Sequence, residues 1–504
     1  MLSVTTQFLA KGGLDEGVAP CWFPRSEDEL FELYADARAR ARRLTLVGAR
    51  KSFGGHFLCP PGAEACDVAG LGRASEIVER APDDSEIWVS VAAGVTFKAL
   101  LSQFAGYRPQ NPPTSDGISI AGALAACTHN MGGFFADSVR AFTLLAPNGQ
   151  RYRCSPRGNA LERALFELAP GSFGALGVMT DIELRLRAVP PDLSMQVEVV
   201  SRGRVAGSRY LDELWRAADE PRHEPGHGVF LFGREDRYVL LADSLRTGSA
   251  PRPRARMLLT ADRPRLHAAL QGLSNRYPGL TRHIALSAFR PGRAFSADWY
   301  GFLFFQRSYD TAHEILSSRS PVFSALRGLG VDPRLTVCHQ TWCFPREHAS
   351  EFMQIYWRTM QRYPGIERLA EQQDMIALRP CAWPSHATWG NANGSALLTP
   401  SLAVRRGSAD HARAEAFFNE LSRAAFARHP AFKLMLLKQS NCDDGLLREV
   451  HATFVSRLRE LKKQVDPEGL LVSKLLQRLL PEPGPASAGP SANRGWSSAA
   501  NRVP

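Results

Sequence analysis

The sequence has no apolar run that approaches the roughly 20 residues a membrane-spanning helix requires. It also lacks a charged-then-apolar leader at its N-terminus, and its nine cysteines include no C-x-x-C pair and no metal-type spacing. These absences predict a cytoplasmic protein with free thiols, no metal site and no transmembrane segment. Contact with a membrane surface stays open.

Several nucleotide and nucleic-acid signatures are missing as well. The chain has no G-x-x-x-x-G-K-[ST] loop and no G-x-G-x-x-G between a strand and a helix, which excludes the usual triphosphatase and dinucleotide loops. No basic stripe interleaved with aromatic residues is present, so no nucleic-acid partner is expected. The net charge of +11 comes mainly from scattered arginines. It favours anionic ligands, or it reflects a coding bias towards arginine.

What is present is typical of a globular protein. With 504 residues, 44% hydrophobic and 22% charged, the chain is long enough for two or three domains. Residues 482–504 are rich in Pro, Ser, Ala and Gly and are expected to be a disordered tail.

The first 190 residues alternate helix and strand patterns. Ser26, with Glu29 three residues later, predicts a capped helix that buries Leu30, Leu33 and Ala37. Further predictions are the strand "IWVSVAAG", the helices "TFKALLSQFAGY" and "SIAGALAACTHN", a type I′ hairpin at Asn148-Gly149, and a glycine-rich turn before the strand "DIELRLRAV".

After about residue 190 the pattern predicts an α+β domain with an antiparallel sheet. Its strand candidates are "YVLLAD", "WYGFLFFQRSY" and "LTVCHQTWCF", and its helix candidate is "SEFMQIYWRTMQRY". On the third strand, His339 and Thr341 would share one face, and Gln340 and Trp342 the other. The last part holds "FKLMLLKQSN", one helix around "LREVHATFVSRLRELKKQ", and a turn at Asp466-Pro467.

The loop after "LTLV" contains Gly48, Gly54 and Gly55 with Arg50 and Lys51 between them. Successive backbone amides in such a loop can form a concave anion site, to which Ser52 would add a hydroxyl donor. Taken alone, a plain turn explains the pattern equally well.

Four elements in order strengthen the anion-site hypothesis. They are this loop, "PPTSDGISIAGALAACTHN", the hairpin "LLAPNGQRYRCS" and "GSFGALGVMT". Together they resemble the vanillyl-alcohol-oxidase superfamily of FAD-linked oxidoreductases, whose FAD domain is of the p-cresol-methylhydroxylase type. The branch with decaprenylphosphoryl-ribose oxidase is the most similar. Sugar-lactone and alditol oxidases and Δ24-sterol reductases are more distant. The resemblance covers roughly residues 20–190 and 430–481.

The resemblance implies a set of cofactor contacts. At the FAD pyrophosphate it implies Gly48, Ala49, Arg50, Lys51, Ser52, Phe53 and Gly54. Along the second element it implies Pro113, Thr114, Gly122, Ala123, Ala126, Cys127, Thr128 and His129, and beside the adenine and ribose it implies Gly171, Ser172, Gly174, Gly177 and Val178. Lys51 occupies the place of a histidine that bonds covalently to flavin in many relatives, so FAD is expected to be noncovalent.

The resemblance also implies catalytic residues. Lys438 matches a lysine that faces flavin and substrate, where it would act as a base or stabilise negative charge, unless it is simply a solvated strand end. His129 and His339 would assist Lys438. Alternatively, His129 is simply a hydrogen-bonded polar residue at the end of a helix. Met131 replaces a substrate-contacting lysine of the ribose-oxidase branch. The segment with His386, Trp389, Asn391 and Asn393 is either pocket lining or a surface loop.

The resulting expectation is an α+β protein with four parts. They are a two-subdomain FAD-binding domain over residues 1–190, a substrate (cap) domain with an antiparallel sheet flanked by helices over 191–430, a returning C-terminal segment over 431–481, and the tail. The expected activity is FAD-dependent oxidation of a CH–OH group in a sugar-like, lactone or lipid-linked alcohol. Oxygen, a quinone or another acceptor would reoxidise the flavin. A reductase of carbon–carbon double bonds and a non-catalytic flavoprotein are the alternatives.

Overall fold

Three sheets and one short ribbon organise the chain in the computed structural model. The model describes residues 3–9, 15–52, 54–72, 74–111, 113, 117–130, 133–188, 194–204, 209–220, 223–224, 229–232, 237–246, 335–378 and 394–481. The predicted strand "WYGFLFFQRSY", the segment with His386, Trp389, Asn391 and Asn393, and the tail lie outside these residues.

The first sheet has the order β1-β2-β4-β3 and is parallel except for the β1–β2 pair. Its strands are β1 (Val4–Leu9), β2 (Glu16–Trp22), β3 (Arg43–Val47) and β4 (Ala63–Asp67). Helix α1 (Glu27–Ala39) links β2 to β3. The predicted cap is confirmed, since the Glu29 amide donates to Ser26 Oγ at 3.2 Å, and the three predicted apolar residues are buried.

The second sheet is antiparallel, in the order β11-β10-β12-β6-β5, with β7 beside β12. This region contains β5 (Ser75–Arg80), β6 (Glu86–Val91), β7 (Tyr107–Pro109), the ribbon of β8 (His129–Asn130) and β9 (Gly133–Phe134), and β10 (Val139–Leu145), β11 (Arg151–Cys154) and β12 (Val178–Ala188). The strand predicted at "IWVSVAAG" is confirmed, because Ile87, Val89 and Val91 alternate into the core.

The hairpin of β10 and β11 forms as predicted, but its turn is not type I′. Only Gly149 has a positive φ (84°) among the turn residues, whereas type I′ needs two. The Gly149 amide donates to the Ala146 carbonyl at 3.0 Å, and the Ala146 amide donates to the Gln150 carbonyl at 3.0 Å. Because Pro147 fixes its own φ near −65°, a type I turn followed by a glycine bulge forms instead.

The third sheet is antiparallel and holds the described strands that follow residue 190, which confirms the α+β class. Its strands are β13 (Ser194–Arg204), β14 (His223–Glu224), β15 (Val229–Phe232), β16 (Arg237–Arg246), β17 (Leu335–His339), β18 (Trp342–Pro345), β19 (Ala370–Leu378), β20 (Ser395–Arg405) and β21 (Lys433–Leu434). The single strand predicted at "LTVCHQTWCF" is wrong. It breaks at Gln340, which donates to Ser422 Oγ at 2.7 Å, and at Thr341, whose hydroxyl lies 2.8 Å from that of Thr399.

Nine further α-helices lie in the described part of the chain. They are α2 (Phe97–Gln103), α3 (Ile120–Ala125), α4 (Ala160–Leu168), α5 (Arg209–Asp219), α6 (Ala349–Arg362), α7 (Ala409–Arg428), α8 (Asp444–Val450), α9 (Ala452–Val465) and α10 (Lys474–Leu479). In this part, none is long and apolar enough to cross a membrane. Two predicted lengths are wrong. Helix α3 stops before Cys127, which has φ 49°, and the helix predicted around "LREVHATFVSRLRELKKQ" is divided at His451.

The end of the described chain returns to the first sheet. The amide of Leu44 in β3 donates to the Leu470 carbonyl, and the Val472 amide donates to the Leu44 carbonyl, both at 2.9 Å. The Lys474 amide then donates to the Leu58 carbonyl at 3.0 Å. The segment from 470 to 474 therefore lies directly beside the strand that leads into the glycine loop.

A buried ion pair holds this return in place. The Asp466 carboxylate is 3% exposed and accepts from the amides of Leu470 (2.8 Å) and Leu471 (2.9 Å) and from the Lys462 ammonium. Lys462 Nζ also donates to the carbonyls of Ala175 (3.1 Å) and Leu471 (2.9 Å). Burial lowers the pKa of Lys462. One pair thus joins α9, the returning segment and the turn that precedes β12.

We expect Asp466→Asn to lower the free energy of unfolding by about 3–5 kcal/mol, because it leaves the Lys462 ammonium buried without a counter-charge. Lys462→Met should cost less, because the Asp466 carboxylate that it leaves buried still accepts from the amides of Leu470 and Leu471. Chemical denaturation measures both, with Glu86→Gln as a control whose exposed pair with Arg187 is worth less than about 1 kcal/mol. Equal losses in all three variants would contradict this role.

Candidate active site

The glycine loop leaves β3 and meets the start of α3. A Cβ at Gly48 would lie 3.1 Å from Ser119 Oγ, so a larger residue would crowd this approach. Ala49, Arg50, Lys51 and Ser52 follow in the same loop, and Phe53 lies outside the described residues. The Arg50 guanidinium pairs with Asp67 and lies 5.0 Å from the centre of the Phe8 ring.

The second predicted element forms α3 and its exit. Ser119 caps α3 by accepting from the Gly122 amide at 3.2 Å. After the positive φ of Cys127, the Thr128 amide donates to the Ala123 carbonyl at 2.9 Å and the chain turns into β8 at His129. The remaining predicted residues here are Ala126 in the exit, Pro113, which is half-buried, and Thr114, which lies outside the described residues.

The third element packs against the end of α3. The Gly171 amide donates to the Leu124 carbonyl at 3.2 Å, and the Phe173 amide donates to the Ala125 carbonyl at 2.9 Å. A Cβ at Gly174 would lie 3.4 Å from Leu46 in β3. The other predicted residues are Ser172 (2% exposed), Gly177 (φ 141°) and Val178, the first residue of β12. The three glycine-containing elements therefore meet in one place.

The C-terminal motif lies against the glycine loop. A Cβ at Gly54 would be 3.2 Å from the Lys438 carbonyl oxygen, so the two backbones are almost in contact. Strand β21 ends at Leu434, and half-buried Lys438 stands in a turn after it, with its amide donating to the Met435 carbonyl at 3.4 Å. Lys438 is therefore not a strand end.

Two neutral histidines flank Lys438. Burial, reinforced by the positive charge of Lys438, lowers the pKa of His129 to about 3. Burial also lowers the pKa of His56 to about 4, again with a contribution from Lys438. His56 Nε2 hydrogen-bonds the Leu436 carbonyl. The buried Nδ1 atoms of both histidines have no hydrogen-bond partner in the described part of the chain, so each can accept a hydrogen bond.

His339 joins the same region through its backbone. Its amide donates to Gln439 Oε1 at 2.9 Å, and its carbonyl accepts from Asn441 Nδ2 at 3.1 Å. Its side chain is 5% exposed. These bonds place the end of β17 beside the residues that follow Lys438, so His129, His339 and Lys438 all belong to one region.

The sequence did not identify His56, Gln439 or Asn441 as site residues. His56 stacks on Phe173 with ring centres 4.8 Å apart, a contact between two of the glycine-containing elements. A cleft of about 490 Å³ opens here, lined by residues 54–56 and 438–444 and by parts of α7 and α10. In the sequence, the polar residues Gln439 and Asn441 shortly after Lys438 were the signal that could have indicated these site residues. No metal-ligand cluster occurs among the described residues.

Comparison with known proteins agrees with this arrangement. Residues 20–155 match a family model described as an FAD binding domain. The match contains the glycine loop, α3 with its exit, and the β10–β11 hairpin.

Two kinds of relatives each match about a third of this chain. Mitochondrial D-lactate dehydrogenase (cytochrome) of Arabidopsis thaliana is 28% identical over 175 residues, 33% of this chain and 30% of the relative. L-gulono-1,4-lactone dehydrogenase of Mycobacterium tuberculosis is 30% identical over 167 residues, 32% of this chain and 36% of the relative. The chain thus spans about a third of the length of these relatives. These similarities support an FAD-linked oxidoreductase related to the vanillyl-alcohol-oxidase superfamily.

Proposed function

We propose that this protein uses noncovalent FAD to oxidise a CH–OH group of a hydroxy acid, a lactone or a sugar-like or lipid-linked alcohol. The observation that carries this proposal is the close approach of the Lys438 backbone to Gly54 in the glycine loop, which itself meets the start of α3 at Ser119, while residues 171–174 pack on the end of α3. In this view the first two sheets are the two subdomains of the FAD-binding domain, and the third sheet belongs to the cap domain.

The residues present fit FAD. Gly48 and Gly54 lie where any Cβ would press on Ser119 or on the Lys438 carbonyl, so the cradle depends on glycine. Buried Thr128 Oγ1 and His129 Nδ1 have no hydrogen-bond partner in the described residues, and a polar ligand in the cradle would satisfy both. FAD, when bound, supplies the two-electron acceptor.

The contacts proposed for FAD come from all three glycine-containing elements. They are Gly48, Ala49, Arg50, Lys51, Ser52, Phe53 and Gly54, then Pro113, Thr114, Gly122, Ala123, Ala126, Cys127, Thr128 and His129, then Gly171, Ser172, Gly174, Gly177 and Val178. Lys51 offers charge where a histidine would be needed for a covalent link.

Two side chains would act on the substrate: His129 as a hydrogen-bond acceptor and Lys438 as a cation. Neutral His129 accepts a hydrogen bond from the substrate hydroxyl at Nδ1, which orients the C–H bond, and the hydroxyl proton passes to solvent. The ammonium of half-buried Lys438 stabilises the negative charge that develops on the same oxygen. Of the two roles predicted for Lys438, this proposal chooses charge stabilisation. His339 assists from the end of β17.

The substrate class rests on the relatives together with this site. Their names specify D-lactate and L-gulono-1,4-lactone, both of which bear hydroxyl groups. A CH–OH substrate also matches a site in which the positive charge of Lys438 helps to keep the acceptor His129 neutral.

We expect anaerobic bleaching of the flavin by at least one member of a panel of hydroxy acids, sugar lactones, sugars, polyols and lipid-linked alcohols, followed by absorbance at the flavin bands. NADPH alone should not bleach it. Bleaching by NADPH with reoxidation by an alkene would instead assign a double-bond reductase. A flavin that none of these compounds reduces would point to a non-catalytic flavoprotein.

We expect Lys438→Met to slow flavin reduction by that substrate about 100-fold while FAD stays bound, because the developing negative charge loses its cation. Stopped-flow absorbance measures the rate. Lys433→Met is the matched control, since Lys433 Nζ donates to the Val450 carbonyl at 2.9 Å and lies 5.6 Å from the Phe426 ring centre. Reduction at the wild-type rate in Lys438→Met would remove this residue from the mechanism.

A further inference from the structure

Arg50 stands out within the glycine loop. Its backbone is in the left-handed region, with φ 58°, although it is not glycine. Its guanidinium pairs with Asp67 and lies over the Phe8 ring, 5.0 Å from its centre. A strained backbone conformation persists only where other contacts stabilise it. For Arg50, these contacts are the ones that its guanidinium makes with Asp67 and Phe8.

Asp67 is well placed to supply that hold. It is the last residue of β4 and pairs in parallel register with Val47, the residue before the loop begins. Its side chain is buried, at 8% exposed for the residue. Asp67 Oδ1 accepts from the Ala69 amide at 3.0 Å, whereas Oδ2 receives the Arg50 guanidinium. The bond to Oδ1 thus orients the Asp67 carboxylate, and the bond to Oδ2 holds Arg50 and with it the glycine loop.

We propose that Asp67 is a positioning residue for the cofactor: it keeps Arg50 docked and so preserves the concave shape of the loop that receives the FAD diphosphate. This inference rests on the proposed function. It assigns the Arg50 guanidinium to the structure of the loop, and leaves only the Arg50 backbone to contact the diphosphate. Its guanidinium faces Asp67 and Phe8, and other groups of the loop hold the diphosphate.

The opposite arrangement makes an opposite prediction. If Arg50 left Asp67 and paired with the diphosphate when FAD binds, the Asp67 carboxylate would compete with FAD for the guanidinium. Removing the charge of Asp67 would then strengthen FAD binding. The sign of the change in FAD affinity therefore shows whether Arg50 stays paired with Asp67 or leaves it when FAD binds.

Glu64 provides a matched control on the same strand. Its carboxylate accepts from Arg42 at 2.7 Å and from Trp22 Nε1 at 2.7 Å. The side chains of this pair are 18% and 20% exposed, comparable with 35% and 10% for Arg50 and Asp67. Glu64 is the second residue of β4, at the end away from the loop. A general loss of stability would affect both carboxylate variants alike.

The test is titration of the apoprotein with FAD, followed by flavin fluorescence. We expect Asp67→Asn to weaken FAD binding about tenfold while Glu64→Gln leaves the dissociation constant unchanged, although both lower the melting temperature of the apoprotein. The amide oxygen introduced by Asp67→Asn can still accept from the Ala69 amide, so the cap remains. In an Arg50→Met background, Asp67→Asn should have no further effect on affinity.

The positioning role of Asp67 would be overturned if Asp67→Asn bound FAD as tightly as the wild type or more tightly. It would also be overturned if Glu64→Gln weakened binding equally. A wild-type apoprotein that binds no FAD would overturn the proposed function itself. That outcome is distinct, because every result that overturns the role of Asp67 alone requires a wild type that binds FAD.

Discussion

The site depends on one close approach, between the backbone of Gly54 and the carbonyl of Lys438. Any side chain at Gly54 would press on that oxygen, since its Cβ would lie 3.2 Å away. The bond from His56 Nε2 to the Leu436 carbonyl fastens the same two segments a few residues away. Because the C-terminal motif is held in this way, Lys438 stands beside a loop that lies almost four hundred residues earlier in the chain.

That approach also determines the electrostatics of the site. Burial removes water from His56 and His129, and the charge of Lys438 adds to the cost of protonating them, so both stay neutral near pH 7. A cation whose charge reaches two neutral acceptors is suited to an oxygen that gains negative charge as its proton departs. The buried pair of Lys462 and Asp466 also stabilises this arrangement, because it holds residues 470–474 beside β3, the strand that leads into the glycine loop.

Local signals predicted much of the fold correctly. The Ser26 cap, the alternation in β6 and the strand after the glycine-rich turn all follow from neighbouring residues. Errors arose where distant partners or a backbone conformation intervened. Gln340 and Thr341 leave the strand to bond with Ser422 and Thr399, and Cys127 ends α3 early. The pairing of Arg50 with Asp67 and the contact of His56 with Leu436 left no pattern in the sequence, because each joins segments that only the folded chain brings together.

The most direct measurement is the flavin content of the purified full chain, reconstituted with FAD where necessary. One FAD per chain, released completely into the supernatant by acid precipitation, is the expected result. It would agree with a glycine cradle in which Lys51 supplies charge but no covalent bond. A protein that stays colourless and binds no FAD on titration would contradict the central claim, and flavin that remains on the precipitated chain would contradict noncovalent binding.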